Sequence, residues 1–517
     1  MPANALRVIL IKPSKYGLDG TVERFRFGFM PNSTLAHIKS LTPRLLDGVL
    51  IHTVTFDEYV QTDLRYLSEL RKQDNSDTLL ALIGVQSHQF QRALDLAVFA
   101  REEGIEHCIV GGPHPMTCDT SSLHGRGISF SLAEAESVWI TVLRDAIRGE
   151  LAPHYGREQR WTPTLDSPVL EPLASRDLRR YAVPMMGIYP ARGCPYTCNF
   201  CSVIKIAGRA VRGQPVETTI ASLKAAKNAG VRMIMFTSDN FNKYSQAVDL
   251  LNEMIEEDIR LPFFVQCDAQ IHKQPELVDL LARAGCFQMF TGVESFSRET
   301  LRAAQKYQNH PDSYAEIVRL CKSHGITTHF SNILGFPEDT ESSIRAHLRI
   351  LQLMNPDVAS FYILTPIPGT QQYDEFMAQG LICESNLDRF DGTRVTWRHP
   401  HLSTQQLYES LSLCYKEFFH ARDVAARFVS VARHFRDFRL FARLITVPGY
   451  SIQSRLAIRK NEHPMAGGIL RVRLDSEKDY LGLRTRVLGA GRIPLPASLP
   501  LSAADQELNR TARLAAS

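Results

Sequence analysis

Within eight residues, Cys194-Pro195-Tyr196-Thr197-Cys198-Asn199-Phe200-Cys201, the chain sets three cysteines in the spacing C-x-x-x-C-x-x-C. Thiolates are soft ligands that suit iron–sulfur clusters, zinc or copper(I). A structural zinc site asks for four protein ligands in a tetrahedron, and no fourth Cys or His stands close by. A 4Fe–4S cluster held by three thiolates instead leaves one iron open to a chelating ligand. A zinc loop or three unrelated buried cysteines are the plainer readings of so short a pattern.

The chain around this loop alternates short apolar runs with helical patterns. The periodicity predicts strands over 187–191, 231–237, 263–267, 286–292, 326–334 and 358–364. Helices over 214–230, 245–258, 275–284, 297–305, 311–324 and 340–354 fall between them. The cysteine loop follows the first of these strands. Upstream, apolar runs at 7–11, 79–85, 107–110 and 128–131, with a helix over 90–103, predict a doubly wound parallel α/β sheet. Its ligand crevice belongs beyond the carboxyl ends of the strands.

A length of 517 residues suits about three domains of roughly 150 residues each. The expected division is an α/β domain over 1–150, a Pro-, Arg-, Ser- and Thr-rich linker over 151–184, a β/α domain over 185–400 and a mainly helical region over 401–517. A net charge of +4 gives no reason to expect nucleic acid. Three clustered and seven scattered cysteines do not form a secreted disulfide framework. No apolar run approaches the ~20 residues of a membrane span, and residues 1–11 are too short for a signal peptide. A cytoplasmic protein is expected.

The cysteine spacing, with Phe200 before the third Cys, resembles the signature of the radical SAM enzymes. The six β/α units match the partial (β/α)6 barrel of that superfamily, whose active site gathers at the carboxyl ends of the strands. The resemblance implies that Cys194, Cys198 and Cys201 hold a 4Fe–4S cluster. Its open iron would bind the amino and carboxylate groups of S-adenosylmethionine (SAM), and one electron would cleave SAM to a 5′-deoxyadenosyl radical. A reductant such as flavodoxin or ferredoxin is implied as a partner. Phe200 would lie beside the adenine. Ser238, Asp239 and Asn240 would hold the methionine ammonium, and Glu294 and Ser295 the ribose or methionine. The segments Gly335–Thr340 and Thr365–Thr370 also resemble the family, although Asp339-Thr340 equally reads as a helix cap.

The first domain resembles the cobalamin-binding domain that precedes the barrel in one subgroup. The resemblance rests on Gly84-Val85-Gln86-Ser87-His88-Gln89-Phe90, on Gly111-Gly112-x-His114 and on the acidic helix start at Glu134 and Glu136. It implies cobalamin contacts from Ser14, Gln86, Ser87, Gly111, Gly112, His114 and Glu134. Cobalamin proteins that supply a histidine to cobalt carry D-x-H-x-x-G after the first strand. Here that position reads Lys12-Pro13-Ser14-Lys15-Tyr16-Gly17. His88 and His114 are expected to be locally bonded loop histidines, not cobalt ligands.

The implied function is a cobalamin-dependent methyltransferase acting on an unactivated carbon of a small molecule or lipid. Ring formation, rearrangement or carbon–carbon coupling on the same domain pair is an alternative, and a non-catalytic iron–sulfur or cobalamin sensor is another. No catalytic side chain is assigned. An unactivated C–H bond has no usable acidity, so a cofactor must carry the chemistry.

At the C-terminal end, 403–420 reads as a helix capped by Ser403-Thr404. A stretch over 422–443 interleaves Arg422, Arg427, Arg433, Arg436, Arg439 and Arg443 with Phe428, Phe435, Phe438 and Phe441. It fits a helix packed on the barrel with a solvated arginine face, or peripheral contact with a membrane or amphiphile. From Ser502 the chain is expected to fray.

Overall fold

The computed structural model describes residues 5–71, 77–433, 441–459, 462–464, 468–474, 480–489 and 491–516. The first sheet has seven strands in the order Leu45–Leu46, Val49–Asp57, Ala5–Lys12, Thr78–Leu82, His107–Gly111, Ser129–Ser131 and His154–Tyr155. Neighbours run parallel except at the short Leu45–Leu46 edge. Val8, Ile9, Leu10 and Ile11 have no exposed surface, as a strand covered on both faces requires. Strand alternation divides them between two cores. Ile9 and Ile11 join the helix Phe90–Glu102 on one face. Val8 and Leu10 join the helices Ser33–Leu41 and Ala135–Arg148 on the other. The doubly wound expectation is met. The strand Val49–Asp57 was not foreseen, because His52, Thr53 and Thr55 interrupt its apolar run.

The second sheet has six parallel strands in chain order: Met185–Ile188, Met233–Phe236, Phe263–Cys267, Cys286–Glu294, Thr327–Leu334 and Val358–Ile363. Its first and last strands are not paired with each other, which makes it a partial barrel. The helices Val216–Asn228, Ala247–Glu256, Pro275–Ala284, Tyr314–Ser323 and Glu341–Met354, which follow the first five strands, bury their apolar stripes in one continuous core. Thr340 caps the helix Glu341–Met354 with a capping box to Ser343. The Asp339 carboxylate accepts from the Gly335 and Phe336 amides. That segment is therefore a cap and a turn.

The connection over 151–184 is packed. It adds His154–Tyr155 to the first sheet and buries Trp161, Leu165, Leu170 and Leu178. Beyond the barrel come the helices Thr404–Phe418, Ala421–Arg433 and Phe441–Arg459. Ser403 caps the first, in a capping box with Gln406. Arg436, Arg439, Phe435 and Phe438 lie outside the described residues, as do the side chains of Arg433, Phe441 and Arg443. The strand Gly468–Val472 pairs with Arg24–Gly28 of the first domain. The helix Tyr480–Leu488 carries Arg484 onto Asp95 of the helix Phe90–Glu102. The expected fraying from Ser502 gives way to the helix Ala503–Ala516. It is anchored by buried Asp505, which accepts from the Arg160 amide, and by Asn509, which accepts from the Arg209 amide.

Candidate active site at the facing strand ends

The cysteine loop leaves the end of the first barrel strand. Ala191–Arg192 pairs antiparallel with Arg212–Gly213 and pinches the loop at its base. Gly193 sits at φ +108°, and a Cβ there would meet the Ala210 carbonyl oxygen at 2.0 Å, so only glycine fits. Its amide donates to Asp239 Oδ2 at 2.8 Å, and the Cys194 amide donates to Gly208 O at 3.1 Å. Cys198 is buried, while Cys194 and Cys201 are half-buried. Burial pushes the Cys194 thiol up to about 11 and the Cys201 thiol up to about 12. The protein alone holds them as thiols, and a metal that displaces the protons makes them thiolates.

Two amides are aimed at the sulfurs. Asn240 Nδ2 donates to Cys194 Sγ at 3.3 Å, and Gln308 Nε2 donates to Cys198 Sγ at 3.5 Å. Lys306 Nζ lies 3.1 Å from Glu294 Oε1 and 5.7 Å from the centre of the Phe200 ring. Burial, the largest single influence, lowers the Lys306 pKa, but the Glu294 carboxylate and the Cys198 and Cys201 sulfurs together outweigh it and raise the pKa, which holds the ammonium charged. Glu294 stands at a register shift of the fourth strand with φ +61°, a strained conformation for a non-glycine residue. Ser238 Oγ accepts from the Ala191 amide, and Ser295 Oγ accepts from the Ser297 amide. Nearby, Asn242 Nδ2 and Asn309 Oδ1 are buried without a protein partner, which suits a polar ligand at the barrel mouth.

The strand ends of the first sheet face this mouth. A Cβ on Gly369, after the sixth barrel strand, would lie 2.5 Å from Thr117 of the helix Pro113–Thr117. Most of the polar groups expected to hold cobalamin have protein partners. The Ser14 amide donates to Glu58 Oε2. Ser87 Oγ lies 3.0 Å from His114 Nδ1, and the His114 ring centre lies 3.9 Å from that of Phe90 with the rings tilted by 32°. Burial lowers the pKa of both His88 and His114 to about 3, so both are neutral. His114 bonds Ser87 of the neighbouring loop, whereas His88 meets the backbone of Phe390 beyond the sixth barrel strand instead of the local partner expected. A Cβ on Gly112 would meet the Val85 amide nitrogen at 2.2 Å, so this glycine lets two loops touch. Gln86 is exposed, and Gly111 and Gly112 are half-buried.

Glu134 instead binds the barrel. Arg212 meets its carboxylate with two bonds, at 2.7 and 2.8 Å, and both side chains are buried. Arg192, two residues before Cys194, lies 2.9 Å from Glu136, which also meets His37 at 2.7 Å. The first domain thus grips the base of the cysteine loop through buried charge. Sequence reasoning missed Lys306, Gln308, Arg192 and Arg212. The two arginines flank the loop and are visible there, but nothing near Lys306 or Gln308 marks them.

The profile of the radical SAM superfamily matches residues 188–351, which include all three cysteines and the second to fifth strand ends. Residues 188–351 are a radical SAM domain. Among relatives of this radical SAM enzyme, bacteriochlorophyllide d C-12(1)-methyltransferase of Chlorobaculum tepidum is 24% identical over 326 residues, 62% of this chain and 70% of that protein. Hopanoid C-2 methylase of Rhodopseudomonas palustris is 29% identical over 231 residues, 42% of this chain and 44% of that protein. The radical SAM methyltransferase TsrM from Kitasatospora setae, solved with cobalamin and a 4Fe–4S cluster bound, superposes with a TM-score of 0.62 at 14% identity. The match covers 88% of this chain and 100% of that one, and it establishes a shared fold.

Proposed function

We propose that the enzyme is a cobalamin-dependent methyltransferase acting on an unactivated carbon of a small molecule or lipid. The observation that carries this reading is the opposition of two strand-end faces, one bearing the cysteine loop and the other the Gln86 and Gly111-Gly112 loops. The methyltransferase names of relatives matched over most of the chain support it.

Cys194, Cys198 and Cys201 would hold the 4Fe–4S cluster. When bound, the cluster and SAM supply the radical that removes a hydrogen atom, and methylcobalamin supplies the methyl group. The chain's own residues position and insulate these groups. Phe200, stiffened by Lys306 on one side and Phe336 on another, would flank the adenine. Glu294 and Ser295, with the unpartnered Asn242 amide, would bind the polar groups of SAM. Asp239 and Ser238 would shape the loop more than touch SAM, because both hold its backbone. Asn240 would bond a cluster thiolate. Gln86, Gly111 and Gly112 would contact cobalamin directly. Ser14, Ser87, His114 and Glu134 would form the wall behind it.

The test is anaerobic reconstitution with iron, sulfide and excess cobalamin, followed by iron analysis and an absorption spectrum. Cluster and stoichiometric cobalamin together, then methyl transfer from labelled SAM, would bear the proposal out. Cluster without cobalamin would sink the methyl-transfer reading.

A further inference from the structure

The two helices after Thr404–Phe418 pack Val424, Val447, Tyr450 and Ile458 on the barrel core, yet they also bury polar side chains and leave apolar ones exposed. In Phe441–Arg459, Ile445, Ile452 and Leu456 are 49%, 59% and 51% exposed. At 3.6 residues per turn they lie within an arc of about 40°. The opposite face, with Val447, Ser451 and Ser454, is the buried one. This helix buries two serines beside Val447 and leaves Ile445, Ile452 and Leu456 exposed. In Ala421–Arg433, Phe428 and Val429 are exposed while Arg427 is buried, bonded to Asn355 Oδ1 and Phe418 O. Single exposed apolar residues need no explanation, but an apolar stripe with its polar side buried does.

Charge decides what covers the stripe. Residues 421–459 hold eight arginines against two aspartates, in a chain whose whole basic excess is four. Arg422 and Arg459 are exposed, and Arg459 stands one turn beyond Leu456 on the same side. A second copy of so basic a face would repel the first. An anionic bilayer attracts the arginines and takes the aliphatic side chains.

We infer that the helices Ala421–Arg433 and Phe441–Arg459 seat the enzyme on an anionic phospholipid surface through Phe428, Ile445, Ile452 and Leu456, with Arg422 and Arg459 at the headgroups. No helix among the described residues is long and apolar enough to cross a membrane, so the contact is peripheral. The inference stands apart from the cofactor chemistry, and its test needs no turnover.

The 517-residue chain is mixed with phosphatidylcholine vesicles with and without phosphatidylglycerol and then sedimented. It should bind the phosphatidylglycerol vesicles only, and salt should release it. Ile452→Ser/Leu456→Ser should lower the partition coefficient by about tenfold or more. Arg422→Glu/Arg459→Glu should also weaken it, and both variants should keep the parent melting temperature because the positions are exposed. In Leu456→Trp the indole emission should shift to the blue on anionic vesicles. Failure to bind phosphatidylglycerol vesicles, binding untouched by either double variant, or an unmoved emission would each overturn the inference. So would a dimer that Ile452→Ser/Leu456→Ser splits while neither form binds vesicles.

Discussion

The two parallel sheets turn their carboxyl ends toward each other, yet they use their strand-end polar groups differently. At the barrel end, Asn240 and Gln308 aim N–H groups at sulfur, and Asn242 keeps an unpartnered amide. At the first sheet's end, Lys12 donates to Gln89 Oε1, Ser87 meets His114, and Glu134 is clamped by Arg212. One end is arranged around something the protein does not supply. The other is largely closed by protein and offers a ligand mainly the rim at Gln86 and the Gly111-Gly112 backbone. A parallel sheet guarantees a crevice at its strand ends, and the side chains placed there decide how much of it stays available.

The largest effect should come from the barrel end. Cys198→Ala should leave reconstituted protein with background iron and no cluster absorption, while circular dichroism stays unchanged. Retained iron at the parent level would erase the contrast between the two ends.

The clamp between the ends comes next. Glu134→Gln leaves the buried Arg212 without its carboxylate, which costs about 3–5 kcal/mol, and Arg212→Met should cost less because Glu134 keeps Arg192 at 3.4 Å. Urea denaturation should show it, and the double variant should lose less than the two singles together.

Lys12 tests how closed the first end is. Burial lowers its pKa from 10.5 to about 7, and Asp57 opposes this only in part. Between those values the unfolded chain binds a proton that the folded chain does not. Stability should therefore rise with pH from 7 to about 10, by roughly 3 kcal/mol. Lys12→Met should flatten that rise and stabilise the protein at pH 7, since the Gln86 amide still donates to Gln89 Oε1. An unchanged slope would mean that water reaches Lys12.

The smallest effect sharpens the barrel end. Gln308→Leu removes an N–H donor from the Cys198 sulfur, and Lys306→Met removes a nearby positive charge. Both should make the midpoint potential of the cluster more negative in an EPR-monitored titration, with iron content unchanged.

Much of this arrangement was legible in the chain. The strand over 263–267 and the helix over 275–284 match their observed bounds, because both have regular apolar periods and clear breakers. Thr340 and Ser403 announced their helices as caps. The cysteine loop fell where strand counting put it. The strand Val49–Asp57, the packing of 151–184 and the anchored C-terminal helix were not legible. Polar residues interrupt their apolar periods, and their partners lie far along the chain, as with Arg160 and Asp505.

The sequence by itself determined which residues can bind a soft metal and how many β/α units frame them, because ligand chemistry and periodicity are local properties. Only the tertiary structure decided what each polar group does. A carboxylate at the start of a helix reads the same whether it meets a cofactor or an arginine. Glu134 meets Arg212, 78 residues away, and Gln308 reaches Cys198 across 110 residues. Contacts between residues so far apart leave no pattern in the chain between them.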